Sequence, residues 1–484
     1  MSTEEVIIED DTPFAPHGIG ARRHGQWIIP PGLRRALFFH LHRPWAKIGH
    51  PIQLFEYMER TFGPISHYRF MGKHIVFIND PAYVQEILIN QASSFVRERT
   101  LRRMKILLGD GLLTADDPQH MRSRRIAAPA FHRQRIAAYA DQIVQITSSM
   151  RDRWQPSQTI DIAATMMHLS LEIVARTLFA TEVTDDIRAI NEQVNIIMQM
   201  YNYLVAFPNL EAVLHWPIPR VVRFRKAKEK LDAVVNRIIA ERRAEGTGIK
   251  PQGSDHGDLL SMLLLARDED GSALSDEQLR DEVLTIFLAG YETTANALTW
   301  TWYLLAQNPD AAAEMIKEID TVLGVGSQAR LPTLADYPNL SYTQMVFAES
   351  MRLYPPAWAM GRASTAPVQL GPYRLPPGTH FFFSQYILHR SPQLYSDPLR
   401  FDPMRHTEEE KSKRPRFAYF PFGGGGRQCI GESFAWMEGV LVLATIAQRW
   451  QMHILPNQQI DVEEKITLRP RYPIHMSLEP RDVS

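Results

Sequence analysis

Apolar residues recur three and four apart along most of this chain, and only short stretches alternate as strands do. The spacing predicts a helix from His50 to Phe62 and a largely helical body from about Asp80 to residue 355. His67 to Asn79 (HYRFMGKHIVFIN) predicts two paired strands about a Met-Gly turn. Thr379 to Ser384 predicts one short strand, and Ile466 to Glu479 closes the chain with strand-like alternation. Residues 365–400 are punctuated by proline, and His406 to Arg416 is polar and reads as solvated. Between Ala244 and Asp258 the pattern dissolves into glycine, proline and polar residues, as a flexible connection would. Residues 1–40, rich in Pro, Gly and Arg, read as a loosely ordered arm ahead of one folded body over 41–484. The fold class expected is mainly α with small β-sheets.

One helix stands out. Ser275-Asp-Glu-Gln278 is a capping box, and the helical pattern then runs to Gln307, before Asn308-Pro309. At 1.5 Å per residue it spans roughly 48 Å. Its Val283–Ala306 stretch is apolar enough to suggest a membrane span, but it carries Glu292, Asn296 and several threonines. A carboxylate at a bilayer centre costs on the order of 2.5–3.5 kcal/mol, so the stretch reads as a buried core helix. Ala289, Gly290 and Thr293 share one face of it. A glycine in a helix interior costs roughly 1 kcal/mol against alanine, which points to a close approach or a bulge at Gly290. The N-terminal MSTEEVIIEDDTPFAP has no apolar core of the signal-peptide kind, and no membrane anchor is expected.

Charge adds an exclusion. Lys plus Arg number 53 against 54 Asp plus Glu, so nothing points to nucleic acid as a partner. A single cysteine, Cys429, excludes an internal disulfide, a four-cysteine zinc site and an iron–sulfur cluster held by this chain alone. A nucleophile, or the one protein ligand of a haem iron, remains. Cys429 lies in Phe422-Gly-Gly-Gly425-Gly-Arg427-Gln-Cys429-Ile-Gly431, where glycines let the backbone approach a flat cofactor.

Phe422, Gly425, Arg427, Cys429 and Gly431, with Ala435 and Glu438 beyond, resemble the cysteine loop of the cytochrome P450 family. Three other segments carry the same resemblance: Ala289-Gly290-Tyr291-Glu292-Thr293-Thr294; Glu349-Ser-Met-Arg352 with Leu353-Tyr-Pro355-Pro356 and Arg362; and Phe401-Asp-Pro403-Met-Arg405. The resemblance covers nearly the whole chain and implies a helical haem domain. Cys429 would be the axial iron ligand. His120, Arg124, Arg362 and Arg427 would meet the haem propionates, with Phe422, Ala289 and Gly290 also against the cofactor. Thr293 and Glu292 would manage protons, with Thr294 a packing neighbour. Glu349, Arg352 and Arg405 would form a buried structural network in which Arg405 pairs with Glu349. His406 stands where the family usually has an aromatic residue. Glu277-Gln-Leu-Arg280 repeats the Glu-x-x-Arg spacing and reads as a helix-surface pair.

The implied activity is a monooxygenase that uses haem b (iron protoporphyrin IX) and O2. Its substrate would be lipophilic, of the fatty acid, terpenoid or steroid class, and would meet Ile286, Phe287, Ala289, Trp358, Ala359 and Met360 under a roof from Met198–Leu204. A peroxide-using or substrate-rearranging haem-thiolate enzyme is the alternative, against which the Glu292-Thr293 pair argues. Gly18-Ile-Gly20 and the glycines at 423–426 both fail the dinucleotide fingerprint. NAD(P)H would therefore serve indirectly, through a separate ferredoxin or flavodoxin. Arg122, Arg125, Lys411, Lys413, Arg414 and Arg416 are candidate contacts for such an acidic carrier. A cytoplasmic protein is expected.

Overall fold

A computed structural model describes residues 21–33, 51–70, 72–180, 192–194, 196, 197, 199, 200, 214–244, 258–267 and 271–481. Helix predominates and the strands are short. The chain forms two compact units. The first takes the residues up to Arg99, Glu349–Cys429 and Ile466–Leu468; the second takes Thr100–Ala348, Ile430–Lys465 and the remainder from Arg469.

In the first unit a six-stranded sheet runs in the order Gly32–Leu33, Ile65–Phe70, Lys73–Ile78, His380–Phe383, Met360–Ser364, Phe95–Arg97. Alternation sorts its side chains. Val76, Ile78, Phe381 and Phe383 face a core shared with Val84, Ile87, Leu88, Phe417 and Phe420. On the other face Phe77 packs edge-on against Phe55, with ring centroids 4.3 Å apart. Phe55 belongs to the Pro51–Phe62 helix, whose Ile52, Phe55 and Met58 are buried at helical spacing. The expected hairpin is present as Ile65–Phe70 against Lys73–Ile78.

Part of the supposed N-terminal arm is strand. Arg22–His24 and Trp27–Ile29 form a hairpin whose second strand meets Tyr373–Leu375, with Arg374 opposite Ile28. Strands of three residues are too short to show alternation, and their partner lies far along the chain, so the pattern alone hides them.

The second unit is built around the helix Asp276–Gln307. Both arms of its capping box form: Gln278 N–H donates to Ser275 Oγ (3.2 Å), and Ser275 N–H donates to Gln278 Oε1 (3.1 Å). It ends at Asn308, where Pro309 opens the next helix. The helices Ile162–Leu178 and Glu432–Ala447 pack on it, and Arg133–Arg151 packs on both of those. The apolar stretch that resembled a membrane span is a buried core helix, and among the described residues no helix is long and apolar enough to cross a membrane.

Candidate active site

In the first unit the cysteine loop is shaped by its backbone. Cys429 N–H donates to Phe422 O (3.0 Å), and Gly423 N–H to Phe420 O (2.9 Å). Gly425 has φ +72°, and a Cβ there would lie 2.2 Å from the Leu88 carbonyl oxygen, so only glycine fits. Phe420 N–H donates to His389 Nε2 (3.0 Å), which fixes the proton of the neutral ring on Nδ1. Burial, with Arg352 and His406 nearby, pushes the His389 pKa well below the usual histidine value. The loop presents Cys429 exposed at the surface of this unit, where cysteine is ordinarily among the most buried residues.

Glu349 anchors the chain leading to that loop. Arg352 Nε and Nη2 donate to its two oxygens at 2.7 and 2.8 Å, a bidentate pair in which both side chains are fully buried. The remaining guanidinium hydrogens serve the carbonyls of His389, Pro398 and Arg400. Asp402 N–H donates to Glu349 Oε1 (2.9 Å). Arg405 pairs with Glu349 as expected, but at longer range than Arg352, with Nε 3.5 Å from Oε1. His406 adds a nearer contact on the other oxygen, its Nε2 3.0 Å from Oε2. It is 3 % exposed, so the polar run is solvated only beyond it. Burial raises the Glu349 pKa, but Arg352 and His406 outweigh it and hold the carboxyl below the usual range. Lys411 pairs with Glu408, and Lys413 with Glu409 and Glu410. Arg414 donates to the Arg405 carbonyl and lies over Tyr395. The two lysines are thus engaged within their own segment, and Arg414 with its neighbours.

Arg362 is 7 % exposed, and its Nη1 donates to the Gly361 carbonyl (2.9 Å). Burial, then the Arg427 charge, pulls its pKa down to about 10. A buried guanidinium beside a second cation calls for an anion, and the two carboxylates of a haem fit that demand. Strand register sets buried Arg97 directly opposite Arg362. The sequence reading missed Arg97, because only strand pairing brings it there. Met360 packs on the cysteine loop, its Cε 3.2 Å from where a Cβ on Gly423 would lie. Trp358 is buried against Phe55 (5.9 Å between centroids), and its carbonyl accepts from Ser384 Oγ (2.7 Å). Ala359 beside it is partly exposed.

In the second unit, the long helix is buried at every residue from Asp281 to Trp302 except Ala289, Gly290 and Thr293. Those three form an open patch on one face. Thr293 Oγ1 donates to the Ala289 carbonyl (2.8 Å), and Glu292 is 9 % exposed. No bulge interrupts the helix at Gly290. A Cβ there would meet Val174 Cγ2 at 3.2 Å, so the helix crossing by itself favours glycine. Ile286 and Phe287 are buried, with the Phe287 ring against Phe179 and Tyr291. His120 and Arg124 share the Gln119–Ala127 helix, and His120 Nδ1 lies 3.1 Å from Asp117 Oδ1. Arg280 does not pair with Glu277: it bonds Asp281, the Leu107 carbonyl and, across helices, Asp232. Of the expected pocket roof, Met198 and Tyr201–Leu204 lie outside the described residues.

Glu438 is fully buried in the same unit, and no hydrogen bond of good geometry reaches either carboxyl oxygen. Burial raises its pKa to about 8, offset only in part by the nearby Ser170 and Thr294 hydroxyls. The unfolded chain ionises above 4.5 while the folded chain keeps its proton, so stability falls as pH rises through that window. Glu438→Gln is expected to be more stable than the parent at pH 8, by roughly 3–5 kcal/mol. The difference should nearly vanish at pH 4.5, as urea midpoints at the two pH values would show.

The family model of Cytochrome P450 matches residues 30–477. This chain belongs to the cytochrome P450 family. It is 38 % identical over 402 residues to cyclooctatin synthase of Streptomyces melanosporofaciens, covering 83 % of this chain and 85 % of that one. It is 36 % identical over 404 residues to cyclooctat-9-en-7-ol 5-monooxygenase of the same organism, with coverage of 83 % and 85 %. Pentalenene oxygenase of Streptomyces avermitilis is 34 % identical over 360 residues, covering 74 % and 77 %. Among solved structures, the retinoic acid-bound cyanobacterial CYP120A1 superposes with a TM-score of 0.79 at 25 % identity, covering 94 % of this chain and 99 % of that one. The protein is a cytochrome P450 monooxygenase, an oxidoreductase, and haem and O2 belong to that chemistry.

Proposed function

We propose that this P450 oxygenates a lipophilic terpenoid, with electrons from a separate ferredoxin or flavodoxin and ultimately from NAD(P)H. The observation that carries the reading is the open patch of Ala289, Gly290 and Thr293 on an otherwise buried helix, in a chain that also exposes its one cysteine. Terpenoid is preferred over fatty acid or steroid because relatives at 34–38 % identity are named for cyclooctatin, cyclooctat-9-en-7-ol and pentalenene.

In this reading Cys429, as thiolate, would be the one protein ligand of the haem b iron. Arg362, Arg427 and Arg97 of the first unit would offer guanidinium groups to its two propionates, and His120 and Arg124 would serve the same carboxylates. The haem, when bound, supplies the binding and reductive activation of O2. One oxygen atom enters the substrate and the other leaves as water, which takes two electrons and two protons. Thr293 offers a hydroxyl on the open face, and Glu292, next to it in the helix, is the carboxylate from which protons are renewed. Ala289 keeps that face low, and Ala359 and Met360 add apolar surface for the substrate. Ile286, Phe287 and Trp358 act chiefly by packing the walls that shape it.

The carbon monoxide difference spectrum of the dithionite-reduced protein tests the ligand. A strongly red-shifted Soret band supports Cys429 thiolate, and a band at the ordinary position defeats it. Titration with terpenoids, fatty acids and steroids then tests the substrate class through the spin-state shift of the Soret band. A response to steroids or fatty acids alone would overturn the terpenoid assignment. Thr293→Ala is expected to keep consuming NAD(P)H while product per electron falls several-fold, with Thr293→Ser largely restoring it. Unchanged coupling in the alanine variant would remove Thr293 from proton delivery.

A further inference from the structure

In the first unit, the helix that opens at Pro81 does not finish as an α-helix. Asp80 caps its start by accepting from Ala82 N–H (2.7 Å). Its last turn, Glu86–Asn90, is a π turn, closed by Gln91 N–H donating to the Glu86 carbonyl (2.8 Å). Such turns are rare and concentrate at functional sites. Here one side chain braces the turn. Asn90 Nδ2 donates to Glu86 Oε1 (2.6 Å), and Gln91 Nε2 donates to Glu86 Oε2 (3.1 Å). Gln91 Nε2 also donates to the Gln369 carbonyl (2.9 Å), which ties the end of the turn to the strand Val368–Leu370.

The braced turn faces the cysteine loop. Ile87 and Leu88 are buried in the core that also holds Phe417 and Phe420. A Cβ on Gly425 would lie 2.2 Å from the Leu88 carbonyl oxygen and 3.5 Å from Ile89 Cδ1, and one on Gly424 would lie 3.6 Å from Leu88 Cδ1. The Leu88 carbonyl is one of the last of its helix, which have no partner within it. Closing the turn to α geometry would re-aim that carbonyl, because successive residues stand about 100° apart around an α-helix and less around the wider turn.

We propose that the π turn Glu86–Asn90, held open by Glu86, positions the cysteine loop by setting the Leu88 carbonyl against Gly425. Glu86 is then a positioning residue, acting on Cys429 only through the turn and the loop backbone. Its two hydrogen bonds are charge-assisted. Glu86 and Gln91 are half-buried and Asn90 is exposed, so the brace can be cut without opening the core. Helix propensity opposes a merely local role: alanine is a better helix former than glutamate, so an ordinary surface helix would tighten on Glu86→Ala. The consequence for the iron ligand rests on the haem reading above; the positioning of the loop does not.

Amide hydrogen exchange on the full-length protein as purified tests the positioning. In Glu86→Ala, exchange across residues 423–429 is expected to speed up by about tenfold, the size expected for two lost bonds to a charged group. The strands Ile65–Phe70 and Lys73–Ile78 should exchange as in the parent. Asn90→Ala, which cuts one bond, should give a smaller change in the same loop, and Glu86→Gln, which keeps an acceptor, should restore part of the protection. In haem-loaded Glu86→Ala, the red-shifted Soret band of the reduced carbon monoxide complex should convert to the ordinary position faster on warming. Unchanged exchange at 423–429 in Glu86→Ala overturns the proposal. Acceleration spread equally over the two strands overturns it as well, since Glu86 would then stabilise the whole unit. A parent that lacks the red-shifted band yet shows the expected exchange pattern defeats the haem reading and supports the positioning.

Discussion

Glu349→Gln is expected to destabilise the first unit by about 3–5 kcal/mol, because it leaves a fully buried arginine without its counter-charge. Arg352 makes two bonds to Glu349 and three to backbone carbonyls, and neither side chain is exposed. Removing one negative charge therefore strands a cation where water cannot reach it. Against a total stability of about 5–15 kcal/mol for a typical domain, the loss should appear as a large drop in the urea midpoint and in haem-loaded yield. Arg352→Lys should also be severe, because an ammonium cannot reproduce the bidentate fork or reach all three carbonyls. His406→Phe tests the departure from the family pattern. It removes the contact to Glu349 Oε2 but leaves the Arg352 pair, so a smaller loss is expected.

The network also has a pH signature. Glu349 is held below 4.5 when folded, so its contribution is present above the unfolded value and is lost as pH falls through the folded one. His406 and His389 are held below 6.5, chiefly by burial, so the unfolded chain takes up protons first and stability falls as pH drops below that value. Acid unfolding of the parent should begin near the histidine range and steepen in the carboxylate range. Glu349→Gln should lose the lower component and retain the upper.

The second large effect is expected from Cys429→Ser. Oxygenation should fall to background, and the reduced, carbon monoxide-bound Soret band should move from the thiolate position to the ordinary one. A bound metal deprotonates a coordinating thiol outright, and a serine hydroxyl does not replace the thiolate so formed. Because Cys429 is exposed on its unit, the exchange removes little packing, and the urea midpoint of the apoprotein should hardly move. Gly425→Ala separates ligation from loop shape. It keeps the sulfur but forces a Cβ onto the Leu88 carbonyl at positive φ, so haem content should fall although the thiol remains. Retained oxygenation in Cys429→Ser would defeat the proposal that Cys429 holds the haem iron.

Much of this was legible in the amino-acid sequence, for a physical reason. Local signals survive folding: the Ser275 capping box, the helical period to Gln307, the glycines of the cysteine loop and the Glu349–Arg352 spacing all act over a few residues. Other features depend on partners distant in the chain. The Arg22–Ile29 hairpin becomes sheet only through Arg374, and Arg97 meets Arg362 only through strand register. His406 looked like the start of a solvated run, and burial against Glu349 made it a member of the network beside Arg405. Gly290 read as space for a cofactor, yet Val174 on a neighbouring helix also accounts for it. Glu277-Gln-Leu-Arg280 shows the limit most plainly, since its arginine turns to Asp232 on another helix. By itself the sequence determined which segments are helix, where the single thiol sits and which family the chain resembles. Tertiary structure alone decided which charges are buried together and which residues of the long helix stay open, because desolvation depends on what packs around a group rather than on its neighbours in the chain.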